Sequence, residues 1–207
     1  MMHPTASKAR HRLSALVLDA SGAVLRAERL LILVLMGVLI GLVLLNVVTR
    51  YAGAPIYWVD EAAVYTVVWL TFVGGSAMCR LRMDFAVTLL SERLGPAMAR
   101  RFKLAAGASV LLFGLALLAM CWIWMDPLGI AAHGFDAREY AGQSFNFLYT
   151  ERTQTLNWPT WVLMLVLPMF SLTLCLHATA NLIEDIGWHE RRRHAGFPTS
   201  DAEAVVN

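Results

Sequence analysis

The sequence predicts an all-α polytopic membrane protein with four transmembrane helices, and its composition is the first reason. Apolar residues make up 58% of the 207 residues and charged residues 15%, against about 25% charged in soluble domains. With a mean hydropathy of +0.57, so little charge cannot cover the surface of a soluble protein of this size. The second reason is that the apolar residues fall into four long uncharged runs.

Each apolar run is long enough to cross a bilayer as a helix. The first has 19 residues without a charge and would reach ~28 Å, close to a hydrocarbon core of ~30 Å. Helices are expected because lipid offers backbone groups no partner, and because the runs lack the alternation of barrel strands. The predicted spans are residues 30–48, 62–78, 104–125 and 161–180.

The placement of Lys and Arg predicts the orientation. The two tails and the loop between spans two and three hold 14 of these residues, and the other two loops hold 3. Positive charge favours the cytoplasmic side, so both termini are predicted to be cytoplasmic. We therefore expect cytoplasmic tails at residues 1–22 and 188–207 around a membrane domain at 23–187. The first span is expected to be retained, because its apolar run exceeds a signal core and a 29-residue polar leader precedes it.

Three segments outside the spans have their own patterns. Residues 12–29 are compatible with an interfacial helix that leads into span one. The inner loop from Asp84 to Arg101 is amphipathic, and it either lies flat on the membrane or is an ordinary loop. The long periplasmic loop 126–157 mixes aromatic with polar residues, which predicts a short helix or a partner contact.

The spans lack the groups that most membrane chemistry requires. None contains Asp, Glu, Lys or Arg, whereas an ion-coupled carrier needs such groups near the midplane. His177 is the one histidine inside a span, and a satisfied histidine is the commoner explanation for it. Three widely spaced cysteines favour neither a disulfide framework nor a zinc site. The sequence therefore predicts no enzyme, catalytic residue, cofactor or metal, and the net charge of +2 gives no indication of nucleic acid.

Small residues mark faces where helices could approach closely. Gly37 and Gly41 form a GxxxG pattern in span one, and Gly74 and Gly75 lie near the end of span two. Such residues let two backbones come together where lipid provides no hydrophobic drive. Pro168 is expected to bend span four, because it removes a backbone hydrogen bond.

Charges cluster at both ends of span two. Arg50 and Glu61 lie at the same expected depth at the outer interface, which predicts an ion pair between them. Arg80 lies at the inner end. These groups either anchor the helix ends at the interface or contact a partner.

The stretch from Asn46 to Pro96 resembles the small permease (DctQ-type) subunit of tripartite ATP-independent periplasmic, or TRAP, transporters. The resemblance rests on three features. An Arg-aromatic pair ends span one, and Pro and Trp precede an acidic pair at the start of span two. A Trp in the middle of span two is followed by glycines and then by an Arg at the end of the span. The matching residues are Arg50, Tyr51, Pro55, Trp58, Asp60, Glu61, Trp69, Gly74, Gly75 and Arg80. The chain departs from the pattern at Met83-Asp84-Phe85 and in its longer outer loop.

The resemblance implies a non-catalytic subunit in a bacterial cell inner membrane. It would brace a large permease subunit (DctM-type) that carries the substrate and sodium sites, while a periplasmic substrate-binding protein (DctP-type) delivers an organic acid, a carboxylate. Membrane lipid is a further expected partner. The helix-packing or partner-interface candidates are Gly37, Gly41, Arg50, Trp58, Glu61, Trp69, Gly74, Gly75 and Arg80.

Two other functions remain open from the sequence. A membrane-anchor subunit of a redox complex is the alternative, although the facing histidines that would bind a b-type haem are missing from the spans. A self-contained channel for small molecules is the third hypothesis.

Overall fold

The computed structural model describes residues 4–83, 95–190 and 192, with side chains from residue 11 onward. These residues form helices, turns and one isolated bridge between Arg152 and Pro159. Among them, four helical stretches are long and apolar enough to cross a membrane. The prediction of an all-α protein with four spans is therefore confirmed. The helices are α1 (Pro4–Tyr51), α2 (Trp58–Leu81), α3 (Pro96–Met125), α4 (Pro127–Ala132), α5 (Ala137–Ser144), α6 (Thr160–Met164) and α7 (Val166–Ile186).

Both ends of α2 and the C-terminal end of α1 carry charges that suit the helix dipole. Helix α2 begins with Asp60 and Glu61 in its first turn and ends with Arg80 in its last turn. Helix α1 ends with Arg50 in its last turn. Acidic groups near the N-terminus and basic groups near the C-terminus are favourable there. After α2, Arg82 adopts a left-handed conformation (φ +56°) that ends the helix.

Residues 126–157, called the 126–157 segment below, contain α4 and α5, where the sequence predicted one short helix or a partner contact. The Asp126 carboxylate caps α4 by accepting a hydrogen bond from the Gly129 N–H at 3.0 Å, and it also accepts one from the Tyr140 hydroxyl at 2.9 Å. A Cβ at residue 129 would collide with the same carboxylate, which explains the glycine.

His133 joins the two short helices. Its Nδ1 lies 2.8 Å from the Gly129 carbonyl oxygen and its Nε2 lies 2.9 Å from Oε1 of Gln143. Hydrogen bonding to the Gly129 carbonyl, and then to Gln143, raises the pKa of the His133 imidazole, because both oxygens favour the protonated ring. The segment is thus held together by its own polar contacts.

The fourth span is interrupted at Leu165, between α6 and α7. Pro168 follows three residues later, and its ring is expected to clash with the carbonyl of the residue four positions before it, Met164. The Leu165 N–H bonds to Val162 at 3.4 Å, a tighter turn than the helix on either side. The expected bend therefore takes the form of a break in the helix.

The chain divides into two compact units, which are described separately. The first unit comprises Met1–Ala27, Gly75–Gly114 and Thr173–Asn207, and the second comprises Glu28–Gly74 and Leu115–Leu172. The expectation for the inner loop from Asp84 to Arg101 lies outside the described residues over 84–94.

In the first unit, the beginning of α1 packs against α7. Leu18 is fully buried with Ala180 and Ile183, and Ser21 Oγ lies 2.8 Å from Nδ1 of the buried His177. The residues expected as a polar tail thus include a helix with a packed face. His177 is a satisfied histidine, which agrees with the sequence interpretation.

Glycines let α3 approach α7 closely in the first unit. A Cβ at Gly107 would lie 2.9 Å from a methyl carbon of Leu182, the flexible end of a side chain. A Cβ at Gly114 would lie 2.8 Å from the Cys175 sulfur and 3.6 Å from the backbone nitrogen of Cys175. Position 114 therefore tolerates a larger side chain less well than position 107 does.

Candidate partner surface and polar anchors

The apolar stretch of α1 in the second unit contains no buried residue over its most hydrophobic part, an 18-residue window. Gly37 and Gly41 lie on it, and a Cβ at either position would meet no described atom within 4 Å. This surface is therefore free to contact lipid or a helix of another chain.

The two glycines of α2 lie in different units. Gly74, in the second unit, has open space around its Cβ position among the described residues. Gly75, in the first unit, is exposed. A larger side chain at Gly74 would meet no steric obstacle from the described part of the chain.

The predicted ion pair between Arg50 and Glu61 is wrong, because Arg50 pairs with the neighbouring acid. Arg50 Nη2 lies 2.8 Å from Oδ2 of Asp60, with the two side chains 60% and 52% exposed. Asn46 joins the pair by accepting a hydrogen bond from Arg50 Nε and donating one to Asp60. These three residues connect the end of α1 to the start of α2, and their exposure makes the connection weak.

Glu61 instead holds a part of the 126–157 segment. Its carboxylate accepts hydrogen bonds from the backbone N–H groups of residues 154, 155 and 156 at 2.7–2.9 Å, and also from the Thr155 hydroxyl. Such charge-assisted bonds are about twice as strong as neutral ones. Glu61 is therefore the anchor that fixes residues 154–156 to the start of α2. Trp58, one turn earlier, is exposed at 38%.

Replacing Glu61 by Gln should release this anchor. The Gln amide keeps one acceptor oxygen and replaces the other by an NH2 group, so the bond from the Gln154 N–H is lost and the three bonds to the other oxygen lose their charge assistance. We expect hydrogen exchange at residues 154–156 to accelerate several-fold, most at residue 154, since hydrogen bonds to a charged acceptor are stronger than those to a neutral amide. Exchange measured by mass spectrometry in detergent tests this. Glu151→Gln, at an exposed position of the same segment, is the control; equal exchange in the two variants would contradict the assignment.

Trp69 connects α2 to the interrupted span in the second unit. Its Nε1–H donates a hydrogen bond to the Leu163 carbonyl oxygen at 3.1 Å. Leu163 belongs to the last turn of α6, where carbonyl groups lack a partner within their own helix. The indole thus satisfies a backbone group that would otherwise face hydrocarbon.

The first unit contains a buried ionic cluster centred on Arg80. The Arg80 guanidinium donates to both carboxylate oxygens of Glu184 at 2.7 and 3.0 Å, and to Oδ1 of Asn181 at 2.6 Å. The Arg80 and Glu184 side chains are only 2% and 1% exposed. Arg82 extends the cluster by pairing with Asp185 at 2.6 Å.

The Arg80 and Arg82 charges are compensated by Glu184 and Asp185 on α7. Within residues 4–83, 95–190 and 192, no group of three or more His, Cys, Asp or Glu could hold a metal ion.

The family comparison is consistent with this arrangement. The model of the family described as "Tripartite ATP-independent periplasmic transporters, DctQ component" matches residues 39–187. The chain belongs to this DctQ family. It is therefore a component of a transporter, not an enzyme, and a multi-pass membrane protein. No curated protein and no solved structure matches the chain.

The matched range covers most of the residues that the sequence singled out. Eight of the nine interface candidates lie inside the DctQ match, and Gly37 lies just before it. The structure gives defined contacts to Arg50, Glu61, Trp69 and Arg80. Their role toward a partner subunit, and that of the glycines and Trp58, stays a prediction.

Sequence reasoning missed the one amide and two acids that contact Arg80 and Arg82. Asn181, Glu184 and Asp185 lie beyond the end of the predicted fourth span at residue 180. Their spacing was nevertheless informative, because residues three and four apart share one helix face. The sequence could therefore have indicated ion pairs between the two arginines at the end of span two and this polar face at the end of span four.

Proposed function

We propose that this DctQ-type subunit braces a DctM-type large permease, and that the large subunit imports an organic acid together with sodium. A DctP-type periplasmic binding protein would deliver the carboxylate. The family match supports a small membrane subunit of a TRAP transporter. The assignment of substrate, coupling ion and partners rests on the resemblance to that family.

The orientation belongs to the same proposal. The excess of 14 over 3 Lys and Arg residues supports cytoplasmic tails. The tails are assigned to residues 1–22 and 188–207, and the intervening residues 23–187 form the membrane domain in the bacterial inner membrane. In this orientation the 126–157 segment is periplasmic.

The exposed face of α1 is the observation that carries the proposal. The apolar window of α1 has no buried residue, so this helix has surface available to a helix of the large subunit. Gly37 and Gly41 on this helix would allow the backbone of a large-subunit helix to approach closely. Contacts within the chain hold Arg50, Glu61 and Arg80 in place, which suits a rigid support.

Enlarging the open glycines should weaken the complex without disturbing the subunit. We expect Gly41→Leu and Gly74→Leu each to reduce co-purification with the large permease several-fold, because the added side chain would separate the two backbones. The measurement is the ratio of large to small subunit after affinity capture of the small subunit from detergent extracts.

Val38→Leu and Val64→Leu are the matched controls, since both valines are exposed on the same two helices. They should leave the ratio unchanged. Complex yields that are equal for glycine and valine variants would contradict this interface. The bracing role itself would be contradicted if this chain alone, reconstituted in liposomes, accumulated a solute against its gradient.

A further inference from the structure

The 126–157 segment exposes four large apolar side chains although it has a core of its own: Leu128, Phe135, Phe145 and Phe147, of which the last two lie two residues apart. Phe145 and Phe147 are 79% and 52% exposed. The residues that form the segment's core are buried: Ile130, Tyr140, Ala141 and Leu148. The two phenylalanines are therefore not the hydrophobic core of this segment.

Two hydrogen bonds hold the residues around these phenylalanines at the end of the third span. Asn146, which lies between them, donates from Nδ2 to the Trp124 carbonyl oxygen at 2.7 Å. The Tyr149 hydroxyl donates to the Met125 carbonyl oxygen at 2.6 Å. Both acceptors belong to the last turn of α3. Phe145 and Phe147 therefore lie within one side-chain length of the point where the span ends.

The backbone at Phe145 is held in an uncommon conformation. Its φ of +56° lies in the left-handed region, which bulky residues rarely adopt. The Phe145 N–H bonds to the Ala141 carbonyl at 3.0 Å, and the Leu148 N–H bonds to Oδ1 of Asn146 at 3.1 Å. The outward position of the ring is thus fixed by an ordered turn.

The turn itself carries no charged residue, although the Asp126 carboxylate accepts a hydrogen bond from Tyr140 at the start of this stretch. No Asp, Glu, Lys or Arg occurs from Tyr140 to Thr150, whereas charged residues flank this stretch on both sides. The neighbouring end of α3 also exposes Trp122 and Trp124. Exposed aromatic rings at a span end are typical of the boundary between water and lipid.

We propose that Phe145 and Phe147 insert into the boundary between lipid headgroups and acyl chains beside the end of the third span. The partner of the 145–147 turn is thus the lipid surface itself. The 145–147 turn adjoins the exposed Trp122 and Trp124 at the end of α3, and Asn146 donates a hydrogen bond to the Trp124 carbonyl. Insertion buries the two rings without requiring another protein. Residues 140–150 themselves place no ion in the boundary, and the nearby Asp126 carboxylate accepts hydrogen bonds from Tyr140 and from the Gly129 N–H.

Depth-dependent fluorescence quenching of the full chain in phosphatidylcholine and phosphatidylglycerol vesicles tests this proposal. An environment-sensitive fluorophore is attached to Phe145→Cys or Phe147→Cys after Cys79, Cys121 and Cys175 are replaced by Ala. Ile123→Cys, exposed at the end of α3, serves as the lipid reference, and Arg138→Cys, exposed on α5, serves as the water reference. Quenchers are a nitroxide lipid, labelled near the headgroup, and aqueous iodide.

Insertion predicts that the labels at 145 and 147 follow the lipid reference. The nitroxide lipid should quench them several-fold more than the label at 138, and iodide should quench them several-fold less. Quenching that matches the label at 138 would overturn the proposal. Protection from both quenchers would overturn it as well, since a protein surface rather than lipid would then cover the turn.

A second variant keeps the test decisive if a label at residue 145 prevents folding. Phe145→Asn places at this position a residue that tolerates the left-handed conformation. The fluorophore is then attached at residue 147 alone. Quenching by the nitroxide lipid at 147 supports insertion, and quenching by iodide only opposes it.

Discussion

Arg80→Ala is expected to cause the largest loss of stability of any substitution considered for this protein. The change would leave the Glu184 carboxylate, whose side chain is 1% exposed, without its bidentate partner. Breaking a buried pair by removing one member costs about 3–5 kcal/mol. The free energy of unfolding, measured by SDS titration in detergent micelles, should fall by this amount.

The exposed pair at the opposite end of α2 provides the control. Arg50→Ala removes a partner of Asp60 that is 60% exposed, and such pairs contribute about 0–1 kcal/mol. The double variant Arg80→Met with Glu184→Met should recover most of the lost stability, because it removes both charges of the buried pair. An Arg80→Ala variant as stable as Arg50→Ala would show that the cluster does not stabilise the fold.

Gly114→Leu is expected to have the second-largest effect. A Cβ at this position would already lie 2.8 Å from the Cys175 sulfur, with the α7 backbone behind it. A leucine would force α3 and α7 apart, and overpacking of this kind costs about 1–3 kcal/mol. The same SDS titration measures the change.

Gly41→Leu is the matched control, because no described atom lies within 4 Å of its Cβ position. It should leave the subunit's own stability unchanged or raise it, since glycine inside a helix costs roughly 0.5–1 kcal/mol relative to alanine.

Two smaller substitutions, Gly114→Ala and Cys175→Ala, test whether the contact between these two residues causes the loss of stability. Gly114→Ala should be destabilising, and Cys175→Ala should restore much of the loss by removing the sulfur. Additive effects of these two substitutions would contradict direct contact.

The spans could be predicted from the sequence because hydrocarbon imposes one simple requirement. A run without charge that is about 20 residues long can hardly be anything but a membrane helix. The extension of α1 back to Pro4 could not be derived in this way. Outside the hydrocarbon a polar helix is stabilised by its packed face, here Leu18 against Ala180 and Ile183, and that contact is not visible in hydropathy.

The ionic contacts show a second limit of sequence reasoning. Depth in the membrane correctly placed Arg50 beside the acidic start of α2, but it could not choose between Asp60 and Glu61. Adjacent residues on a helix point about 100° apart, so the choice depends on how α2 is rotated. Glu61 faces residues 154–156 instead, more than 90 positions away in sequence.

The interruption at Leu165 has a consequence for how this sequence can evolve. The Leu163 carbonyl is available to the Trp69 indole in the last turn of α6, which ends at Met164 ahead of Pro168. In a homologue that lacks the proline and forms an unbroken fourth helix, a backbone N–H of the same helix would bond this carbonyl. Replacement of the tryptophan at position 69 by phenylalanine would then cost no hydrogen bond. Positions 69 and 168 should therefore covary, although 99 residues separate them along the chain.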